Sequence, residues 1–364
     1  ELGQFYVQLC KMGINIKVID TGGGLAVDYE GSRTRSFNST NYTLSEYALT
    51  LLSKIKSLCD KNYLPLPQIF TESGRATTAH HAVFVSNIVE VESIVGEEVP
   101  DIGKIKDEDL LELDDMLDSF NKLPINEIYS STVLAIESVH NRFAAGELTL
   151  EKRALAEQLF SHIKLEIMKR LNPLHRSHRD LFDILDEDLA KKIIVNFSLF
   201  QSIPDSWAIS QLFPVMPLSH LDEEPTMRSI IEDITCDSDG KINNYMDYQG
   251  NEPSLKLPKY NPENPYLLGI FLVGAYQEIM GNMHNLFGKV TTLDICLDGK
   301  GNFEFENIHD GFTNKDSLEH VGYDIIEMQD LFRKSLISLK LPKAEQIKLM
   351  NQIKDIFDSH TYLT

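Results

Sequence analysis

Two short segments pair side chains that can do chemistry with a glycine that lets the backbone bend or approach a ligand: Thr71-Glu72-Ser73-Gly74-Arg75 and Cys236-Asp237-Ser238-Asp239-Gly240. In the first, the Arg75 guanidinium can take a phosphate with two parallel bonds, and the Glu72 carboxylate can keep a ring nitrogen protonated. A plain surface Glu–Arg pair, worth less than about 1 kcal/mol, explains the same residues equally simply. In the second, Cys236 can donate a proton and Asp237 can bind a cation, whereas a lone cysteine is ordinarily a small core residue. The Asp-x-Asp-Gly portion resembles a calcium loop only faintly and lacks the remaining ligands. A third segment, Gly22-Gly23-Gly24, follows a β-rich run and leaves backbone N–H groups open to a phosphate, or is simply a tight turn. Neither G-x-G-x-x-G nor G-x-x-x-x-G-K-[ST] occurs, which disfavours dinucleotide and P-loop readings. Tyr276 ends an apolar run, Asp205 sits in the turn-like Pro204-Asp205-Ser206-Trp207-Ala208, and the adjacent His80 and His81 point apart and suit structural roles.

The elements that position these groups follow from periodicity. Residues 14–20 read as a strand ending at the glycines, Tyr42 to Lys61 as a helix capped by Ser45, Gln68 to Thr71 as a second strand and Ala82 to Val91 as a third. Strand, helix, strand with glycine-rich turns is an α/β pattern whose turns share one functional face. From Val99 to about Leu189 glycine almost vanishes and the apolar period is near 3.6, which predicts a helical bundle and no coiled coil. Beyond Ile193, short apolar runs separated by proline, glycine and asparagine predict an antiparallel sheet or sandwich, with Asp298-Gly299-Lys300-Gly301-Asn302 as a hairpin turn. Tyr323 to Phe357 is helical again.

At 364 residues the chain is long enough for two or three domains of about 150 residues each. With 55 acidic against 34 basic residues the net charge is −21, which repels nucleic acid and anionic lipid and suits a cationic ligand, or serves solubility alone. The four cysteines form no C-x-x-C pair, so neither a disulfide framework nor a structural zinc site is expected, and a reducing cytoplasm fits. No apolar stretch approaches the roughly 20 residues of a membrane helix, and the start carries no signal-peptide pattern. The chain opens inside an amphipathic helix without an initiator methionine, so it is expected to be part of a longer protein.

Taken together, DTGGGLAVDYEGSR, TESGRATTAHH, VNFSLFQSIPDSWAISQLFPVMPL, DITCDSDGKI and LGIFLVGAYQEIMGNMHNLFG resemble the biosynthetic arginine decarboxylases, a branch of the alanine-racemase-like (fold type III) pyridoxal-phosphate enzymes. The resemblance implies an α/β plus β architecture: the later part of a pyridoxal-phosphate-binding (β/α)8 TIM barrel (1–97), a helical-bundle insertion (98–191), a Greek-key-like β-sandwich (192–312) and closing helices (313–364). By that likeness Gly22, Gly23, Gly24, Gly74, Arg75 and Tyr276 hold the cofactor phosphate end and Glu72 faces the pyridine nitrogen. Cys236 protonates the carbon that loses CO2, while Asp237 and Asp205 bind the distal positive end of L-arginine, giving agmatine for putrescine and spermidine synthesis. It also implies a homodimer or higher homo-oligomer, up to a tetramer, with shared active sites, no nucleic-acid or membrane partner, and an associated Mg2+ whose ligands no motif locates. The family's Schiff-base lysine lies before residue 1, so the 364 residues alone are expected to be inactive. A decarboxylase of another basic amino acid and a non-catalytic regulatory homologue are the alternatives; the long 99–189 insertion speaks against the first and the full set of site residues against the second.

Overall fold

A computed structural model describes residues 1–92, 99–103, 105–172, 174–247 and 250–363. Its first unit is α1 (Leu2–Lys11), β1 (Val18–Asp20), α2 (Leu44–Asn62) and β2 (Gln68–Phe70). β1 and β2 pair in parallel, with Val18 opposite Gln68 and Asp20 opposite Phe70, so both strands release their following loops at the same edge. Those loops carry Gly22–Gly24 and Glu72–Arg75. Tyr6, Val7, Ile19, Ile55 and Cys59 form the small core beneath them. The cap of α2 is Thr43, not Ser45: Thr43 Oγ1 accepts the Glu46 N–H at 3.1 Å and Glu46 Oε2 accepts the Thr43 N–H at 2.8 Å. A capping box needs a glutamate three residues after the cap, which Thr43 has, whereas Ser45 falls inside the first turn.

After α3 (Gly74–Thr78) comes β3 (Val83–Glu92), and then the bundle: α4 (Glu108–Leu117), α5 (Ile125–Ala144), α6 (Leu150–Arg170) and α7 (Arg176–Asp188). Leu110, Leu113, Ile128, Val139, Leu159, Ile163, Ile167 and Leu185 are fully buried between these helices. Leu159, Ile163 and Ile167 recur at four-residue spacing on α6, so one stripe faces the core, each side chain contributing about 1.5–3 kcal/mol by burial. Buried Asp186 at the end of α7 pairs with Arg228 and accepts a 2.6 Å bond from Ser254 Oγ, which fastens the bundle to the sheet described next. The expected boundary at 97/98 lies outside the described residues.

The larger sheet comprises β3, β4 (Lys191–Val195), β5 (Val215–Pro217), β6 (Met227–Glu232), β7 (Lys241–Ile242), β10 (Leu255–Leu257) and β11 (Leu267–Phe271), in the order β10-β6-β4-β3-β11-β5 with β7 beside β6. A small hairpin of β8 (Tyr245–Asp247) and β9 (Gly250–Glu252) stands apart from it. Two expectations change here. β3, read from sequence with the barrel segment, pairs antiparallel with β4 and β11 and is therefore a central strand of this sheet. The sheet is also not purely antiparallel: β4 and β6 run parallel, because the chain between them crosses over through α8 (Leu199–Ser202), α9 (Pro204–Ala208) and β5 before returning. Ile193, Phe197, Leu199, Ile203, Ile231 and Leu257 fill the core against which those two short helices pack.

Past α10 (Gln277–Met280), the Asp298–Asn302 turn joins β12 (Thr292–Leu297) to β13 (Phe303–His309) as its chemistry predicts. Asp298 accepts the backbone N–H groups of Lys300 and Asn302 at 2.8 and 3.0 Å. The chain ends in α11 (Asn314–His320), α12 (Ile325–Ser338) and α13 (Lys343–Asp358). Among the described residues no helix is long and apolar enough to cross a membrane.

Candidate active site

A cavity of about 250 Å³ opens at the edge where β1 and β2 end, lined by Gly24, Leu25, Tyr29, Glu72, Gly74, Arg75, Gln211 and Tyr276 among others. The two loops are stitched together: the Glu72 N–H donates to Gly22 O at 2.9 Å, and Asp20 Oδ1 accepts the Gly22 N–H at 2.8 Å. Gly22 and Gly24 adopt φ of 72° and 86°, which L side chains rarely tolerate. A Cβ on Gly23 would lie 2.7 Å from the Glu72 carbonyl oxygen, so only glycine permits this approach. The N–H groups of Gly23 and Gly24 donate no hydrogen bond among the described residues. Across the cavity, the Tyr276 hydroxyl sits 3.4 Å from where a Gly74 Cβ would stand. Tyr276 caps α10 at φ 70°, a left-handed conformation costly for an aromatic residue, and its side chain is thereby turned onto the cleft.

Arg75 is the hub. Its Nη1 donates to Tyr29 Oη at 3.1 Å, its Nη2 donates to Asp205 Oδ2 at 3.1 Å, and its Cζ lies 4.8 Å from the Tyr276 ring centroid. Burial opposes the Arg75 charge, but the bonds to Tyr29 and Asp205 outweigh it and leave the pKa above its ordinary value. The Tyr29 phenol is pushed up by burial, with Arg75 pulling the other way. Asp205 is only 4% exposed; Gln277, 1% exposed, donates from Nε2 to its Oδ2 at 2.9 Å and accepts its N–H at 3.1 Å. The carboxylate that the resemblance assigned to the substrate's far end thus faces Arg75 and Gln277 in the interior. Glu72 forms no ion pair among the described residues and lines the cavity.

Cys236 and Asp237 do not line this cavity. Their loop is pinned by buried Asp233, whose carboxylate accepts the Leu199 N–H at 2.7 Å and the Thr235 N–H and hydroxyl at 2.9 and 2.7 Å. Burial raises the Asp233 pKa, with the bond from Leu199 the strongest opposing pull. A Cβ on Gly240 would overlap the Asp233 carboxylate, which closes the loop tightly on itself. The exposed Cys236 donates its N–H to Asn285 Oδ1 at 3.2 Å, and Asp237 pairs with His284 at 3.2 Å. The His284 ring packs on Phe200 with centroids 4.4 Å apart. Helix α9 links the two clusters, with Asp205 turned to Arg75 and Trp207 donating to Asp239 at 3.3 Å; the segment expected to be a turn is a short helix begun by Pro204.

The structure therefore gathers Gly24, Glu72, Gly74, Arg75 and Tyr276 in one cleft, with Gly22 and Gly23 preceding Gly24 in the same loop but outside the lining, and sets Cys236 and Asp237 in a second cluster. Sequence reasoning missed Tyr29, Gln277, His284 and Asn285 as contributors. No local signal marks Tyr29, and Gln277 is marked only by following Tyr276. For a phosphorylated pyridine the residue types fit: the Gly23 and Gly24 N–H groups, unengaged among the described residues, and the Arg75 guanidinium suit a phosphate, and the Glu72 carboxylate, without an ion pair among the described residues, lines the cleft. Among the described residues no group of three or more His, Cys, Asp or Glu is placed to hold a metal ion, so the structure locates no ligand set for the expected Mg2+.

Residues 1–79 match the family described as the pyridoxal-dependent decarboxylase, pyridoxal binding domain, and residues 106–186 match the arginine decarboxylase helical bundle domain. The biosynthetic arginine decarboxylase of Pasteurella multocida is 43% identical over 367 residues, covering 100% of this chain and 57% of its own. That of Neisseria meningitidis serogroup B is 42% identical, covering 100% and 58%. The crystal structure of the biosynthetic arginine decarboxylase from Campylobacter jejuni aligns with a TM-score of 0.81 at 34% identity, over 100% of this chain and 59% of that one. The chain spans somewhat more than half the length of these relatives.

Proposed function

The chain belongs to the family of the biosynthetic arginine decarboxylases, and on that premise we propose that the protein it represents converts L-arginine to agmatine and CO2 with pyridoxal phosphate. The observation that carries the reading is the cleft in which Gly24, Glu72, Arg75 and Tyr276, drawn from sites up to 252 residues apart in sequence, converge around a volume of about 250 Å³. When bound, the cofactor would supply a protonated pyridine ring able to take up the electron pair left on carbon as CO2 departs. Glu72 holds the proton on that ring nitrogen. The N–H groups of Gly23 and Gly24, the remaining donors of Arg75 and the Tyr276 hydroxyl bind the phosphate. Asp205 and Gln277 act through Arg75, fixing its fork towards the cleft.

Cys236 delivers its Sγ–H proton to the carbon whose bond to the carboxylate has broken, and Asp237 takes the distal guanidinium. Because both stand outside the cavity of their own chain, they are proposed to serve the cleft of a partner, in a homodimer or larger homo-oligomer. Residues 1–79 are proposed as the later part of a TIM barrel and the sheet from β3 onward as the Greek-key-like β-sandwich. The test is product analysis of the full-length protein given the cofactor with arginine, ornithine, lysine and diaminopimelate in competition. Agmatine is expected to dominate; a dominant product from another acid would reassign the substrate, and no CO2 from any would leave a regulatory scaffold.

A further inference from the structure

We infer that Asn285 is a positioning residue that fixes the sulfur of Cys236. Its Oδ1 accepts the Cys236 N–H at 3.2 Å, which leaves the other end of the carboxamide, Nδ2, facing Cys236 Sγ at 3.3 Å. One side chain thus grips both the backbone and the thiol of the same residue, from 49 positions along the chain. The grip is built at a conformational cost: Asn285 has φ 54° and Leu286, next to it, φ 65°. Asparagine tolerates the left-handed region, but leucine pays for it, and two such residues in a row persist only where the surroundings hold them. The neighbouring His284 reinforces the placement by pairing with Asp237 at 3.2 Å and stacking on Phe200. An exposed cysteine would otherwise sample several rotamers. With Asn285 Nδ2 at 3.3 Å and Oδ1 at 3.6 Å, the sulfur lies against the carboxamide, where it can accept from the amide and donate its own hydrogen to the carbonyl, and its rotamer is fixed.

This inference rests on the reading of Cys236 as proton donor, and the test separates the two. In the full-length holoenzyme, the rates of alkylation of Cys236 and Cys296, both exposed on the single chain, are compared by peptide mass spectrometry at one fixed neutral pH. Asn285→Asp keeps the shape, the tolerance for positive φ and the acceptor for the Cys236 N–H, but puts an anionic oxygen where the donor faced sulfur. Asn285→Gly keeps the backbone and removes the carboxamide. In Asn285→Asp the Cys236 rate relative to Cys296 is expected to fall about tenfold, because a nearby negative charge disfavours the attacking thiolate. For turnover in D2O, the deuterium at the carbon that lost CO2 is expected on one face in the wild type and on both in Asn285→Gly. An unchanged Cys236 to Cys296 ratio in Asn285→Asp overturns the inference. A slowed ratio with deuterium still entering on one face in Asn285→Gly supports the amide–thiol contact and removes Cys236 from the protonation step.

Discussion

Replacing Asp205 with asparagine separates two roles that the same carboxylate could play. Asp205 is nearly isolated from solvent, and its Oδ2 receives Arg75 at 3.1 Å and Gln277 at 2.9 Å. Removing one partner of a fully buried ion pair costs about 3–5 kcal/mol. Arg75 keeps a quarter of its side chain in solvent and its bond to Tyr29, so water and the phenol take up part of the loss. The expected destabilisation is about 2 kcal/mol, a fall in Tm of roughly 4 °C. The more telling effect is on the cofactor: a guanidinium without its counter-ion no longer holds its fork towards the cleft, and the Kd for pyridoxal phosphate should rise about tenfold, equivalent to about 1.4 kcal/mol. Equilibrium titration of the apo full-length variant by cofactor absorbance, beside steady-state kinetics at saturating cofactor, reads both quantities. The reasoning is refuted if cofactor affinity is unchanged while KM for arginine rises tenfold, for then the carboxylate meets substrate and not Arg75.

Other substitutions probe the same framework. Gly23→Ala drives a methyl group to 2.7 Å from the Glu72 carbonyl, so the two loops must part; cofactor binding should weaken at least tenfold at a stability cost of about 1–3 kcal/mol, measured by titration and thermal melting. Gly240→Ala overlaps the Asp233 carboxylate and disturbs the Cys236 loop, so kcat should fall by an order of magnitude or more while cofactor affinity stays near wild type; equal losses in both would contradict the separation of the two clusters. Asp107, bonded to Arg142 and also to Lys152, has its pKa lowered to about 2. Its contribution to bundle stability is therefore complete above the ordinary aspartate pKa of about 4 and is lost as pH falls through about 2. In Asp107→Asn the denaturant midpoint should drop at pH 7 and change less than wild type between pH 5 and pH 2.

What could be read from sequence was the local chemistry. The glycine loop, the Glu72–Arg75 segment and the Asp298–Asn302 turn depend on neighbours a few residues away, and each stands where its residue types place it. The features that escaped depend on distant partners. Asp205 reaches Arg75 across 130 positions and Asn285 reaches Cys236 across 49, and no local pattern encodes either meeting. The parallel pairing of β4 with β6 escaped for the same reason, since periodicity reports which face of a strand is buried and not the direction of its neighbour. The place of strand β3 in the chain points to the first unit, although its pairing belongs to the second. The cap of α2 is legible in the sequence at Thr43 and not at Ser45, because Thr43 and Glu46 stand at capping-box spacing.

On the proposed function, the cleft around Arg75 is where arginine loses its carboxyl group. The most direct test is release of labelled CO2 from carboxyl-labelled arginine by the full-length protein, with agmatine counted alongside, in wild type and Arg75→Ala. One CO2 per agmatine, dependent on added pyridoxal phosphate and reduced at least a hundredfold in Arg75→Ala at limiting cofactor, is the predicted result. Undiminished release by Arg75→Ala at limiting cofactor, or no release by the wild type with cofactor bound, would contradict it.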